Sequence, residues 1–159
     1  MPFDISSVFK GMSRVVIVGI GSEFRGDDAA GVLVARNLKK RVKSPNVLVI
    51  EAGVAPENFT SEVKKFRPSH IILVDAADFK AKPGTFIFTD SGVAIGQSIS
   101  THKLPLSILS DYLHNQTSAE VFLVGIQPAE AGLSSEMCKK VKDAVNEVVD
   151  ALAKNMCFL

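Results

Sequence analysis

Three side chains that could bind a divalent cation follow predicted strands, near the point where each strand ends. Asp28 lies in the loop after the first strand, Asp75 closes the third, and His102 lies in a later loop just before a helix. Because ligand sites in open parallel sheets lie beyond the carboxyl ends of the strands, we expect the three side chains to lie together. Two carboxylates and one imidazole would leave open positions on an ion such as zinc or nickel. Taken singly, Asp75 could be a turn or capping residue and His102 a solvated loop residue.

The loop before Asp28 has the context of a phosphate-binding loop but lacks its residues. Phe24 takes the place of the third glycine that a dinucleotide-binding loop requires between strand and helix. Gly21 and Gly26 have the spacing of a Walker-type loop, but Asp27-Asp28 stands where a lysine and a serine or threonine belong. Two carboxylates would repel a phosphate, whereas their oxygens suit a cation. The sequence therefore argues against a nucleotide-binding domain.

Asp27 and Asp28 are expected to have different surroundings. The side chain of Asp27 is interpreted as the N-cap of the following helix. Since adjacent helical residues point in different directions, Asp28 should then face the space above the sheet, and the pair alone should not form an aspartic-protease dyad. Ser22, Asp75 and His102 could also be arranged as a nucleophilic triad, but no Gly-x-Ser-x-Gly elbow surrounds Ser22.

Three other polar residues are weaker candidates for a site. His70 begins a strand, and His114 ends a helix, where the macrodipole favours a cation. Glu51 lies at the end of the second predicted strand and is interpreted as a turn residue, although a role in the site stays open. The zinc-protease motif His-Glu-x-x-His is absent from the sequence.

The chain alternates predicted strands with predicted helices. Apolar, β-branched runs predict strands at 14–20, 46–51, 70–75 and 120–126, and helical periodicity predicts helices from 27, from 56, over 104–114 and over 134–154. A strand at 85–89 follows too few residues for a helical crossover and should run antiparallel at the sheet edge. The pattern predicts an α/β fold, a three-layer αβα sandwich with a mostly parallel twisted sheet and that one antiparallel edge strand.

Composition excludes several classes of protein. The 159 residues, predicted to form one domain over 1–159, carry 18 Lys and Arg against 17 Asp and Glu, so no overall charge draws the chain to nucleic acid or anionic lipid. Two cysteines, Cys138 and Cys157, make neither a disulfide framework nor a Cys-x-x-Cys site. No apolar run is long enough to span a bilayer, and the N-terminus lacks signal-peptide features. We expect a cytoplasmic protein without membrane insertion, and a monomer.

Five short motifs follow one another between Val15 and about Val149. They are GIGSEFRGDD (19–28) with Gly31, EAGVAPEN (51–58), VDA (74–76), STHKL (100–104) and VGIQP (124–128). In this order they resemble the hydrogenase maturation endopeptidases, small proteases that trim the C-terminus of the large subunit of nickel-iron hydrogenases. The first motif, with its paired acids, is the most specific.

The resemblance implies a substrate, a metal and roles for three residues. Asp28, Asp75 and His102 match the family's metal-binding positions, which recognise nickel already inserted in the precursor large subunit. Nickel would arrive with that partner, so no resident cofactor is expected, although zinc or cadmium could occupy the site. Asp28 and Asp75 would be the catalytic carboxylates, and the attacking water could be activated by the ion or by either carboxylate. The alternative is a non-catalytic nickel-sensing or chaperone module for hydrogenase assembly.

The sequence departs from the family pattern at three positions. Ser22 replaces a usual asparagine, Val54 a common threonine and Ala30 a frequent glycine. None of these replaces a proposed metal ligand. They affect how the peptide would be held, and the subtype of hydrogenase stays open.

Overall fold

A five-stranded sheet forms the centre of the fold. The computed structural model describes residues 5–90, 105–129 and 136–159. The strands of this part of the chain are β1 (Val15–Ile20), β2 (Val47–Gly53), β3 (His70–Ala76), β4 (Phe86–Asp90) and β5 (Glu120–Ile126). They lie in the order β2-β1-β3-β5-β4, and β4 pairs antiparallel with β5 at one edge while the other pairs are parallel. The predicted mostly parallel sheet with an antiparallel edge strand is confirmed.

Helices cover both faces of this sheet. They are α1 (Ile5–Val8), α2 (Ala30–Arg41), α3 (Thr60–Phe66), α4 (Leu106–Thr117) and α5 (Lys139–Met156). Helices α2 and α5 contribute to the apolar core on one face, and α3 and α4 to the core on the other. Every residue of β1 and of β3 is buried, as expected for strands covered on both sides. The predicted three-layer sandwich is confirmed.

The last helix begins later than its periodicity predicts. Helix α5 starts at Lys139 rather than at 134, so Met137 precedes it. Apolar side chains at helical spacing in α5 are nevertheless buried, including Val141, Val148 and Leu152. The first residue of the helix predicted over 104–114 lies outside the described residues, and α4 begins at Leu106.

The order of the strands creates a crevice at the carboxyl ends of β1 and β3. The chain leaves β1 through α2 to reach β2 on one side of β1, and it leaves β3 for β4 at the opposite edge of the sheet. Connections that leave two neighbouring strands towards opposite sides of the sheet separate above them, and ligands of doubly wound sheets bind in that opening. Asp28 follows β1 and Asp75 lies near the end of β3, so the topology delivers both to this crevice.

Among the helices that the structure describes, none has the length and apolar character needed to cross a membrane. Cys138 and Cys157 are both free thiols.

Candidate functional site

The loop after β1 folds tightly back towards the strand ends. Gly21 has a φ of +135°, and a Cβ added there would lie 1.9 Å from the carbonyl oxygen of Asp28, so this position requires glycine. The Gly21 N–H donates to the Gly53 carbonyl oxygen at the end of β2, at 2.9 Å. The loop is thereby tied to two strands and carries the turn of 3₁₀ helix Gly26–Ala29 that contains Asp28.

Asp28 is buried and its carboxylate is oriented by the loop. Oδ2 accepts a hydrogen bond from the Ser22 N–H at 3.1 Å, and the side chain belongs to a residue that is 7% exposed. The Ser22 hydroxyl accepts a hydrogen bond from the Phe24 N–H at 3.4 Å, which is a loop-stabilising contact. Ser22 therefore holds Asp28 through its backbone.

Asp75 is fully buried near the carboxyl end of β3. It is the penultimate residue of β3, opposite Gly125 of β5, and is 0% exposed. The 3₁₀ turn that carries Asp28 packs against β3. Asp75 is therefore part of a strand rather than a turn or cap residue, and both predicted carboxylates lie at the β1–β3 opening.

The third predicted ligand, His102, lies outside the described residues. Within 5–90, 105–129 and 136–159, the structure contains no cluster of three or more His, Cys, Asp or Glu side chains that could hold a metal. In the described part of the chain the crevice thus provides two carboxylates, and a site with three protein ligands would need His102 or another residue from 91–104 or 130–135.

Asp27 does not cap α2, in contrast to the prediction. It lies inside the 3₁₀ turn, and no side-chain hydrogen bond caps that turn or α2. Its Oδ2 instead accepts the Ala129 N–H and its Oδ1 the Cys138 N–H, both at 2.8 Å. Asp27 thus joins the turn next to Asp28 to the two chain segments that follow β5 and precede α5, and, as predicted, its side chain diverges from that of Asp28.

Replacing Asp27 by Ala is expected to destabilise the fold. Asp27 is 5% exposed, and its removal would leave the Ala129 and Cys138 N–H groups without this acceptor, at about 1–3 kcal/mol for each. Asp27→Asn keeps one acceptor oxygen and should lose less. Urea unfolding measures both variants, with the exposed Asp143→Ala as the control. A loss below about 0.5 kcal/mol for Asp27→Ala, the size of an ordinary surface substitution, would contradict this role.

A cleft of about 360 Å³ opens beside Asp28, between the β1 loop, α2 and the end of β2. Arg36 of α2 lies in its wall and donates to Glu51 at 2.9 Å and to Glu23 at 2.6 Å, while Lys39 contacts Glu51 at 3.2 Å. Glu51 is therefore a strand residue in an ion-pair network and not the predicted turn residue. The lining residues are Gly21, Ser22, Glu23, Phe24, Val32, Arg36, Glu51, Gly53 and Val54.

This network stabilises the charged forms of Glu51 and Arg36. Burial raises the pKa of Glu51, but hydrogen bonds from Arg36 and Lys39 outweigh that effect and leave the pKa below its ordinary value. Hydrogen bonds to Glu23 and Glu51 raise the pKa of Arg36. Since the pKa of Glu51 is lowered by folding, its contribution to stability is present above the unfolded-state pKa and is lost as the pH falls through the folded-state value.

Gln127 holds the chain segment that follows Asp75, a role that the motif VGIQP (124–128) does not by itself indicate. Its Oε1 accepts the Phe79 N–H at 2.8 Å, and its Nε2 donates to Asp78 Oδ1 at 3.2 Å, which fixes the chain just after Asp75. Gln127 directly follows the buried strand β5. The signal that pointed to Asp75, a polar residue at the end of an apolar strand, was therefore also available for Gln127.

The remaining histidines with described positions lie away from the crevice. His70 begins β3, at the opposite end from Asp75, and stacks on Phe122 with ring centroids 6.2 Å apart. Burial lowers the pKa of His70, and Glu120, whose carboxylate lies 3.1 Å from Nε2, opposes that shift. His114 Nδ1 contacts the Ala119 carbonyl oxygen at 2.8 Å, near the start of β5. Both have structural contacts, as their weak sequence signals indicated.

Comparisons with known proteins agree on one family. Residues 32–155 match the family model described as hydrogenase maturation protease. The hydrogenase 3 maturation protease of Escherichia coli K12 is 36% identical over 138 residues, which are 86% of this chain and 87% of that protein. The crystal structure of a NiFe hydrogenase maturation protease from Thermococcus kodakarensis superposes with a TM-score of 0.89 at 39% identity, covering 96% of this chain and 97% of that one. The solution structure of an endopeptidase from E. coli gives a TM-score of 0.79 at 33% identity, with coverage of 89% and 90%.

Proposed function

The chain belongs to the hydrogenase maturation protease family, and we propose that it removes the C-terminal extension of the precursor large subunit of a nickel-iron hydrogenase after nickel has been inserted. The family assignment made from the five motifs is confirmed, and with it the prediction of an endopeptidase. The substrate, the role of nickel and the roles of individual residues are the proposal.

The observation that carries the proposal is the pair of buried carboxylates at the β1–β3 opening. Asp28 is 7% exposed and Asp75 is 0% exposed, although each carries an ionisable group. Carboxylate oxygens beyond the carboxyl ends of parallel strands lie where such sheets bind ligands, and they are suitable ligands for a divalent cation. A divalent ion presented by the substrate would bind to their oxygens, with His102 as the third protein ligand.

In this proposal the binding of the substrate's nickel orients the peptide, and this orientation would supply much of the catalysis. The precursor contributes the ion together with its own ligands, so Asp28, Asp75 and His102 would occupy the remaining positions and fix the extension beside the crevice. Positioning of this kind can contribute about 7–11 kcal/mol to lowering a barrier. Asp28 or Asp75 would then accept a proton from a water molecule as that water attacks the scissile amide carbonyl. The C–N bond would break, and the same carboxyl group would return the proton to the departing amine.

Turnover separates this enzyme from a nickel-sensing or chaperone module. We expect one equivalent of the protein to shorten at least ten equivalents of nickel-loaded precursor, seen by mass spectrometry as loss of the C-terminal extension. A stoichiometric complex with a precursor of unchanged mass would instead identify a chaperone.

The variant His102→Ala tests the third proposed ligand in the same assay. It should prevent the mass loss, and full processing by that variant would remove His102 from the proposal.

A further inference from the structure

The cleft beside Asp28 is bordered by two exposed apolar side chains. Phe24, in the β1 loop, is 79% exposed, and Val54, after β2, is 62% exposed. Among the described residues, the other large apolar side chains that are exposed are Ile108, Tyr112 and Phe158. An isolated exposed apolar residue is ordinary, but two that line one concave surface form an apolar binding surface.

The charged side chains of the cleft compensate one another. Arg36 pairs with Glu23 and Glu51, which line the cleft with it. Lys39 does not line the cleft but also pairs with Glu51, so two basic groups offset two acidic groups. A charged ligand group would have to compete with these internal pairs and would lose hydration on entering. The cleft therefore favours a neutral, apolar group over a charged one.

The cleft adjoins Asp28 through one of its lining residues. Ser22 lines it, and the N–H of Ser22 is hydrogen-bonded to Asp28. At its other side Gly53, with a φ of +66°, leaves open the space that a Cβ would occupy, so a peptide backbone can approach the end of β2 closely. Phe24 and Val54 line the same cleft as Ser22 and Gly53, so a peptide that enters it beside Ser22 would contact both apolar side chains.

We propose that this cleft binds an apolar side chain of the substrate's C-terminal extension, and that Phe24 and Val54 determine this specificity. The inference rests on the proposed function, since it identifies the occupant as the peptide that the enzyme cleaves. The volume of about 360 Å³ is within the range of sites that enclose small ligands, and it is large enough for one bulky side chain with its flanking backbone.

Steady-state kinetics on the nickel-loaded precursor test the assignment. Phe24→Ser should raise KM about tenfold with kcat nearly unchanged, because it removes contacts made equally in the ground state and the transition state. Val54→Thr keeps the shape of the side chain but adds a hydroxyl, and it should raise KM by a smaller factor. Phe158→Ser is the matched control, since Phe158 is 90% exposed and does not line the cleft. All three positions are exposed, and unchanged circular dichroism would verify folding.

A double-mutant cycle identifies the partner on the substrate. Each apolar residue of the substrate's extension is replaced in turn by Asp, and KM is measured with the wild-type enzyme and with Phe24→Ser. For one of these substrates KM should rise with the wild-type enzyme, whereas with Phe24→Ser it should rise little further. Unchanged KM in both cleft variants, or equal effects for Phe158→Ser, would overturn the inference while leaving the proposed function intact. Absence of any cleavage by the wild type would instead overturn the proposed function, and this inference with it.

Discussion

Asp75→Asn is expected to reduce processing of the nickel-loaded precursor by at least about 100-fold while the protein remains folded. Asparagine has the shape of aspartate but lacks the negative charge, so the variant would lose an anionic ligand for the ion and one candidate activator of water. Losing one preorganised electrostatic contact at a reaction centre costs about 10²–10³ in rate. Because asparagine has nearly the volume of aspartate, the packing around this position, which is 0% exposed, should be kept, and circular dichroism checks that the variant is folded.

The control for this substitution is Asp143→Asn. Asp143 lies on α5 with its side chain 58% exposed, next to Lys139 at 3.8 Å. Surface pairs of this kind contribute little, so processing and stability should both match the wild type. The same loss of processing is expected for Asp28→Asn. Processing by Asp75→Asn at the wild-type rate would exclude Asp75 from the reaction.

Gly31→Ala is expected to destabilise the fold by more than about 3 kcal/mol or to prevent folding. A Cβ at Gly31 would lie 2.2 Å from the Val74 carbonyl oxygen and 2.3 Å from that of Ile20, and both neighbours are backbone atoms of central strands. Since such atoms cannot rotate away, α2 would have to move off the sheet, and overpacking of a rigid core typically costs 1–3 kcal/mol or more. Helix α2 also follows the turn that carries Asp28, so the crevice would be displaced.

Gly11→Ala separates steric crowding from backbone conformation. Gly11 has a φ of +83° but no atom within 4 Å of an added Cβ, so its substitution should cost only about 1–2 kcal/mol. Urea unfolding of the two variants provides the comparison. If Gly31→Ala were as stable as Gly11→Ala, the close packing of α2 on β1 and β3 would not be the reason that position 31 requires glycine.

Much of the fold could be predicted because its signals are local. The apolar run 120–126 coincides with β5 (Glu120–Ile126), and the short connection before 85–89 correctly indicated an antiparallel edge strand. The start of α5 could not be predicted in this way. Cys138 has extended backbone and its N–H is held by Asp27, more than a hundred residues away in the sequence, so the helix begins only at Lys139.

In the candidate site, too, positions that follow from local sequence could be predicted, whereas contacts made through tertiary packing could not. Asp28 and Asp75 could be selected because strand ends in a parallel sheet meet at one edge, which the strand order confirms for β1 and β3. Asp27 was misassigned because a carboxylate at a helix start is most often a cap, whereas its actual partners follow β5 and precede α5. Glu51 was misassigned because its partner Arg36 is chosen by the packing of α2 beside β2, which residue spacing does not reveal.

The most direct measurement of the central proposal compares two forms of one precursor large subunit, loaded with nickel and free of nickel, each incubated with a catalytic amount of the protein. Mass spectrometry before and after incubation reports removal of the C-terminal extension. Because Asp28, Asp75 and His102 are proposed to hold the substrate through its nickel, the loaded precursor should be shortened and the nickel-free precursor should keep its mass. Equal cleavage of both forms would contradict the proposal.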